Sequence, residues 1–155
     1  MTLTFARLFQ LRVYVIQGNS MSPTIKDGQH LVVRSVGTSV PRLPRRSLVI
    51  VRDRRGPEPS YVKRVVGLPG ETVSIQDGLL FVDGAHLDEP YLGRLPASLG
   101  LGEASWEVGP AEFFVMGDNR HRSTDSRTLG PIPSALIEGR VVLRYWPLRR
   151  FGRVS

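Results

Sequence analysis

What most limits the fold of this chain is its punctuation. Short runs of β-branched and aromatic residues recur at 13–16, 31–34, 48–52, 61–66, 72–75, 79–82, 112–116 and 140–146, with Gly, Pro, Asp or Asn bounding them. Such residues fit a pleated, half-buried surface, and runs this short suit strands. Asp77-Gly78, set between Val73-Ser74-Ile75 and Leu79-Leu80-Phe81-Val82, is a tight hairpin signal, and Asp83-Gly84 marks a further turn. One or two helical turns are expected over 133–138 and one over 21–25. The stretch 93–108, with three glycines and a proline, reads as an irregular insertion. There is no internal repeat. The expectation is a mostly β protein of many antiparallel strands, closed or nearly closed on itself.

A chain of 155 residues fits one domain and can bury a single core. It has no cysteine, which excludes disulfide frameworks and thiolate metal sites. The formal charge of +7 is compatible with nucleic acid or an anionic membrane surface. Its make-up says more: 19 arginines stand against two lysines, Lys26 and Lys63, and only lysine can lose its proton. Arginines crowd 42–55, either as a solvated loop face or as a contact for phospholipid head groups. Residues 3–16 are mostly apolar but are interrupted by Arg7 and Arg12. They fall short of the roughly 20 apolar residues of a membrane span, and no small-residue cleavage site follows them. The start therefore reads as trimmed, with 1–16 a remnant of a membrane-proximal segment.

Three segments carry polar chemistry. In Gly18-Asn19-Ser20-Met21-Ser22-Pro23-Thr24 an apolar strand runs into glycine, and Pro23 turns the chain, leaving a small hydroxyl at a strand end. A serine at such a place is by itself usually a turn former. As a nucleophile it needs a base. His30 and His86 lie in a strand and a hairpin tail, and His121 sits between Arg120 and Arg122, whose charges oppose the imidazolium of a triad. Lys63 is the better base. Alternation in Tyr61-Val62-Lys63-Arg64-Val65-Val66 puts Lys63 on one face with Tyr61 and Val65, and burial there would favour the neutral amine. The bland alternative is a lysine whose stem packs while its head reaches water. The third segment, Gly117-Asp118-Asn119-Arg120-His121-Arg122-Ser123-Thr124-Asp125-Ser126-Arg127, is a dense polar loop whose Asp118 and Asp125 can pair with Arg64, Arg120 or Arg127; Arg64, pointing opposite Lys63 on its strand, is expected to take Asp118 as its partner. With no glutamate and several arginines it does not suit calcium.

Taken in order, Ser20-Met21-x-Pro23-Thr24, Lys63-Arg64-x-x-Gly67-x-Pro69-Gly70 and Gly117-Asp118-Asn119-Arg120 with Ser123, Asp125, Ser126 and Arg127 resemble the motif boxes of bacterial type I signal peptidase. The likeness extends through Gly130, Pro133, Gly139 and Arg140. It implies antiparallel β-sheets in a partly closed, barrel-like catalytic core over 13–155, with 72–112 a small β-rich inserted lobe. It further implies that Ser20 is the nucleophile, that Lys63 is its general base and that Ser123 orients the lysine. Ile16, Met21 and Tyr61 would line shallow substrate pockets, and Arg64, Asp118, Asp125 and Arg127 would support the site. No cofactor and no metal are implied. The substrate would be the small-x-small end of a secretory signal peptide, bound as an added strand. The place of action would be a membrane phospholipid surface, on the extracytoplasmic face.

The chain also departs from that pattern. Gly18 stands where some members carry a serine that helps bind the oxyanion, so main-chain or water donors are expected to serve instead. Two glycine–aspartate pairs usual in the family are altered, to Gly28-Gln29 and Arg46-Ser47, with little expected effect on catalysis. Two other readings compete. Self-cleaving repressor proteases share a Ser–Lys pair, but they carry a DNA-binding domain ahead of the serine and lack the Gly-Asp-Asn-Arg loop. A non-enzymatic basic barrel for nucleic acid or lipid would interleave aromatics with arginines, and 42–55 has none.

Overall fold

The computed structural model describes residues 11–37, 40–53, 60–93 and 102–154. Most of the expected membrane-proximal remnant (1–10), Arg54, Arg55 and part of the 93–108 stretch lie outside the described residues.

The chain is almost entirely β. Strands β1 (Leu11–Val15), β2 (His30–Ser35), β3 (Leu48–Arg52) and β4 (Ser60–Gly67) precede a small sheet formed by β5 (Thr72–Gln76), β6 (Leu79–Val82), β7 (Ala85–His86) and β8 (Ala104–Glu107). The chain then returns through β9 (Glu112–Met116), a single helical turn α1 (Ser126–Leu129), β10 (Ile132–Pro133) and the long β11 (Ile137–Trp146). The large sheet runs β1-β2-β11-β3-β4-β9-β10 and curls into a half-barrel; the small one runs β7-β6-β5-β8. Among the described residues no helix is long and apolar enough to cross a membrane.

Local chemistry explains the turns. Asp77 and Gly78 have φ of 50° and 74°, and Asp83 and Gly84 have 49° and 78°, the left-handed pairs that two-residue hairpin turns require. Two expectations need correcting. The stretch 93–108 is not irregular throughout, since Ala104–Glu107 pairs with β5 as β8. Strand β8 has a single large apolar residue, Trp106, too little to show alternation, and the ladder with β5 supplies what the pattern lacks. The helix expected over 133–138 shrinks to one 3-10 turn, Ser134–Leu136, and β11 starts at Ile137, three residues before the expected strand.

The centre of the large sheet is covered on both sides. Leu48, Ile50 and Val62 pack with Ile16, Met21, Ile25 and Leu31, whereas Val49, Val51 and Val65 pack with Phe113, Val115 and Ile137. The first cluster spans the curl: it draws the loop after β1 onto β4, although three strands separate β1 and β4 in the sheet order. The small sheet is an excursion between β4 and β9, which pair directly. Its core joins Val73, Ile75, Leu80 and Val82 to Val66, Phe114 and Met116 of the large sheet. Gly67 allows that close packing, because a Cβ there would lie 2.5 Å from a Val73 methyl.

Candidate active site

Ser20 lies in the loop between β1 and β2. The Ile16 and Gln29 backbones close its base, and Ile16 accepts from the Gly28 N–H at 2.8 Å. Gly18 has φ 88°, a conformation costly to any side chain, and its N–H donates to Asp27 at 2.7 Å. Met21 and Ile25 pin the loop into the core beside Val62, the neighbour of Lys63. That placement sets the Lys63 Nζ 3.2 Å from Ser20 Oγ.

Lys63 is 5% exposed. Burial pushes its ammonium pKa down; the Asp125 carboxylate opposes this, Arg127 adds to it, and Asp118 opposes it again, leaving the amine below its ordinary value. The Nζ also stands 5.7 Å from the Tyr61 ring centroid. Tyr61 itself is 38% exposed and donates to Asp53. Of the other residues expected to line pockets, Ile16 and Met21 are buried in the core, with Met21 almost wholly covered.

The third segment arrives by register. Arg64 pairs with Met116 across β4 and β9, so Gly117 follows where the ladder passes Lys63. The loop then grips the serine segment: Asn119 N–H donates to the Ser20 carbonyl at 2.9 Å, and its side-chain amide donates to the Asn19 carbonyl at 3.0 Å. Gly117 must be glycine here, because a Cβ would lie 2.2 Å from Ser123 Oγ and 2.6 Å from the Ser20 carbonyl oxygen.

Charges behind the dyad are paired. Arg64 makes a two-pronged bond to Asp118 at 2.8 and 2.7 Å, and both residues have 0% exposure. Asp125 accepts from Arg127 Nε at 2.8 Å and Nη2 at 2.9 Å and from the Gly117 N–H at 2.9 Å. Burial alone would raise the Asp125 pKa, but these donors outweigh it and hold the carboxyl below its usual range. Asp125 also caps α1. Ser123 Oγ is buried against Gly117 and makes no hydrogen bond to Lys63 or to any other described residue.

Sequence reasoning missed Glu89 and Tyr91, and left Ser126 without a role and Arg120 without its actual partners. Arg120 donates to the Gly117 carbonyl at 3.1 Å and to both oxygens of Glu89, from the small lobe, at 2.7 and 2.5 Å. Tyr91 lays its ring on the Arg64 guanidinium, 3.8 Å from the centroid. Ser126, fully buried, accepts from the Val115 N–H. Arg46 has φ 71° at a position where the resemblance calls for glycine, which accounts for that preference. Among the described residues no three His, Asp or Glu side chains cluster as metal ligands would.

The family model for signal peptidase, peptidase S26, matches residues 1–146. Signal peptidase I of Bacillus caldolyticus is 36% identical over 94% of this chain and 85% of its own length. Signal peptidase IB of Staphylococcus aureus is 34% identical over 92% and 82%. The crystal structure of a signal peptidase I from Enterococcus faecalis superposes with a TM-score of 0.56 at 30% identity, covering 66% of this chain and 98% of that one. By fold and relationship the protein is a serine endopeptidase. It belongs to the signal peptidase family, peptidase S26, as a member of the signal peptidase I type. Family membership sets aside both the self-cleaving repressor and the non-enzymatic barrel.

Proposed function

We propose that the protein removes signal peptides from secretory preproteins by cleaving after small-x-small sequences, with Ser20 as nucleophile and Lys63 as general base. The observation that carries this is the 3.2 Å contact between Ser20 Oγ and a lysine amine shielded from water. The neutral amine takes the hydroxyl proton as Oγ attacks the scissile carbonyl, then returns it to the departing amine. Water attacks the acyl-serine by the same route. Among the described residues the Ser20 N–H makes no hydrogen bond, which leaves it for the role of oxyanion donor; Gly18 supplies no side-chain donor. The substrate lies as an added strand, with Ile16, Met21 and Tyr61 about its small-residue pockets.

A phospholipid surface on the extracytoplasmic side of the cell membrane is the proposed place of action. Alternate residues of β1, Leu11, Val13 and Val15, are exposed, as are Trp146, Leu148 and Phe151 near exposed Arg149 and Arg150. Apolar side chains rimmed by arginine suit such an interface.

The test is a pH profile of kcat on a small-x-small signal peptide. Because the active form is the neutral amine and burial lowers its pKa, activity should rise with pH through a midpoint well below that of free lysine. EDTA should leave the rate unchanged. A flat profile, or loss of activity to the chelator, refutes the reading.

Ser123 is proposed to accept one hydrogen of the Lys63 amine and so aim its lone pair. Its hydroxyl is unpartnered at rest, so Ser123→Ala should leave thermal stability unchanged or slightly raised. Turnover should fall by roughly tenfold or more, with KM little altered. A melting and kinetic comparison checks both, and unchanged turnover ends this role.

A further inference from the structure

The small lobe sends one segment back to the site. After β7 the chain continues through Asp88, Glu89 and the 3-10 turn Pro90–Leu92, with Leu92 buried. Asp88 offers its carbonyl to Arg46 at 2.6 Å. Glu89 receives both guanidinium nitrogens of Arg120, Tyr91 donates its hydroxyl to Glu89, and the Tyr91 ring stacks on Arg64. Desolvation, with Glu89 adjacent, drives the Tyr91 pKa up, so the phenol stays a donor.

These two arginines hold adjacent residues of the short loop that grips the nucleophile. Arg64 clamps Asp118, Arg120 clamps the Gly117 carbonyl, and the next residue, Asn119, bonds the Ser20 carbonyl. We infer that Glu89 and Tyr91 are positioning residues: a strap from the small lobe that fixes loop 117–120, and through it the Ser20 backbone, in register with Lys63. Charged bidentate bonds and a desolvated ring–guanidinium stack are the strong, directional contacts such a task needs. The small sheet is thereby a working part of the catalytic machinery as well as added core. The inference rests on Ser20 being the nucleophile.

The test uses Glu89→Gln, which keeps size but breaks the ion pair, and Tyr91→Leu beside Tyr91→Phe, which retains the stack. Both kinetics and amide exchange are read at a temperature where each variant is fully folded. Glu89→Gln should lower kcat about tenfold with KM within twofold, because ground-state binding is untouched. Exchange at the Asn119 amide should quicken about tenfold while that at Val115 stays unchanged, a result independent of any assay of cleavage. Tyr91→Phe should keep at least a third of the parent rate and Tyr91→Leu no more than a tenth. Parent kcat and parent Asn119 exchange in Glu89→Gln overturn the strap, as do equal rates for the two Tyr91 variants should Glu89→Gln fail to fold. A parental Ser20→Ala control that still cleaves would instead overturn the nucleophile assignment, so the two failures are distinguishable.

Discussion

Ser20→Ala and Lys63→Ala are each expected to abolish cleavage of a small-x-small signal peptide while leaving the protein folded. Loss of a positioned general base lowers rates by roughly a hundredfold to ten-thousandfold, so Lys63→Ala should retain less than about a hundredth of parent turnover. A residual rate above about a tenth would show that another group takes the Ser20 proton. Lys63 allows a second, opposite readout. Its folded pKa lies below its unfolded value, so folding disfavours the charged form. The resulting penalty is full at pH values below the folded pKa and fades as pH rises towards the unfolded value near 10.4. Lys63→Met fills similar space without a charge and should therefore raise the melting temperature at neutral pH, where about 1 kcal/mol corresponds to roughly 2–4 °C for a chain of this size. An inactive, more stable Lys63→Met protein is the signature of a lysine held neutral for chemistry; a less stable one would make its stem a packing element.

Asp118→Ala should be the most damaging change to stability. Arg64 and Asp118 are both fully buried, and removing the carboxylate leaves the guanidinium, among the described residues, with only the Arg46 carbonyl at 3.0 Å and the Tyr91 ring. Stranding a buried charge commonly destabilises by about 3–5 kcal/mol, a large part of the roughly 5–15 kcal/mol that holds a domain together. The urea midpoint measures it. The double variant Arg64→Met with Asp118→Leu should recover much of the lost stability, because desolvated ion pairs gain little over well-packed apolar groups. It should not recover activity, since Asp118 anchors the loop that holds Ser20. A double variant that cleaves at the parent rate would make the pair purely structural.

Much of the architecture was legible because strand-forming runs and turn residues are local features. The Asp-Gly turns needed positive φ, and β3, β4, β6 and β9 fall where β-branched and aromatic residues cluster. Strand β8 was not legible, because Ala104-Ser105-Trp106-Glu107 becomes a strand through its partner β5 rather than through its own composition. The candidate site was legible as residue types: a serine before a turn, one lysine on an apolar strand, and a loop rich in aspartate and arginine.

How those types meet was beyond local pattern. Ser20 and Lys63 are 43 residues apart, and the sheet's curl, driven by packing Ile16, Met21 and Ile25 against Val62, closes that distance. The Arg64–Asp118 pair was foreseen from strand alternation and is delivered by the β4–β9 register, whereas the choice of Arg127 as partner of Asp125 is made within the loop itself. Glu89 and Tyr91 carried no signal at all, since their importance comes from burial against arginines supplied by other strands. By itself the sequence determined where strands and turns form and which chemistries were available. Only the tertiary structure decided which charges are buried and which groups touch, because burial and long-range contact are properties of the closed sheet and not of any segment in it.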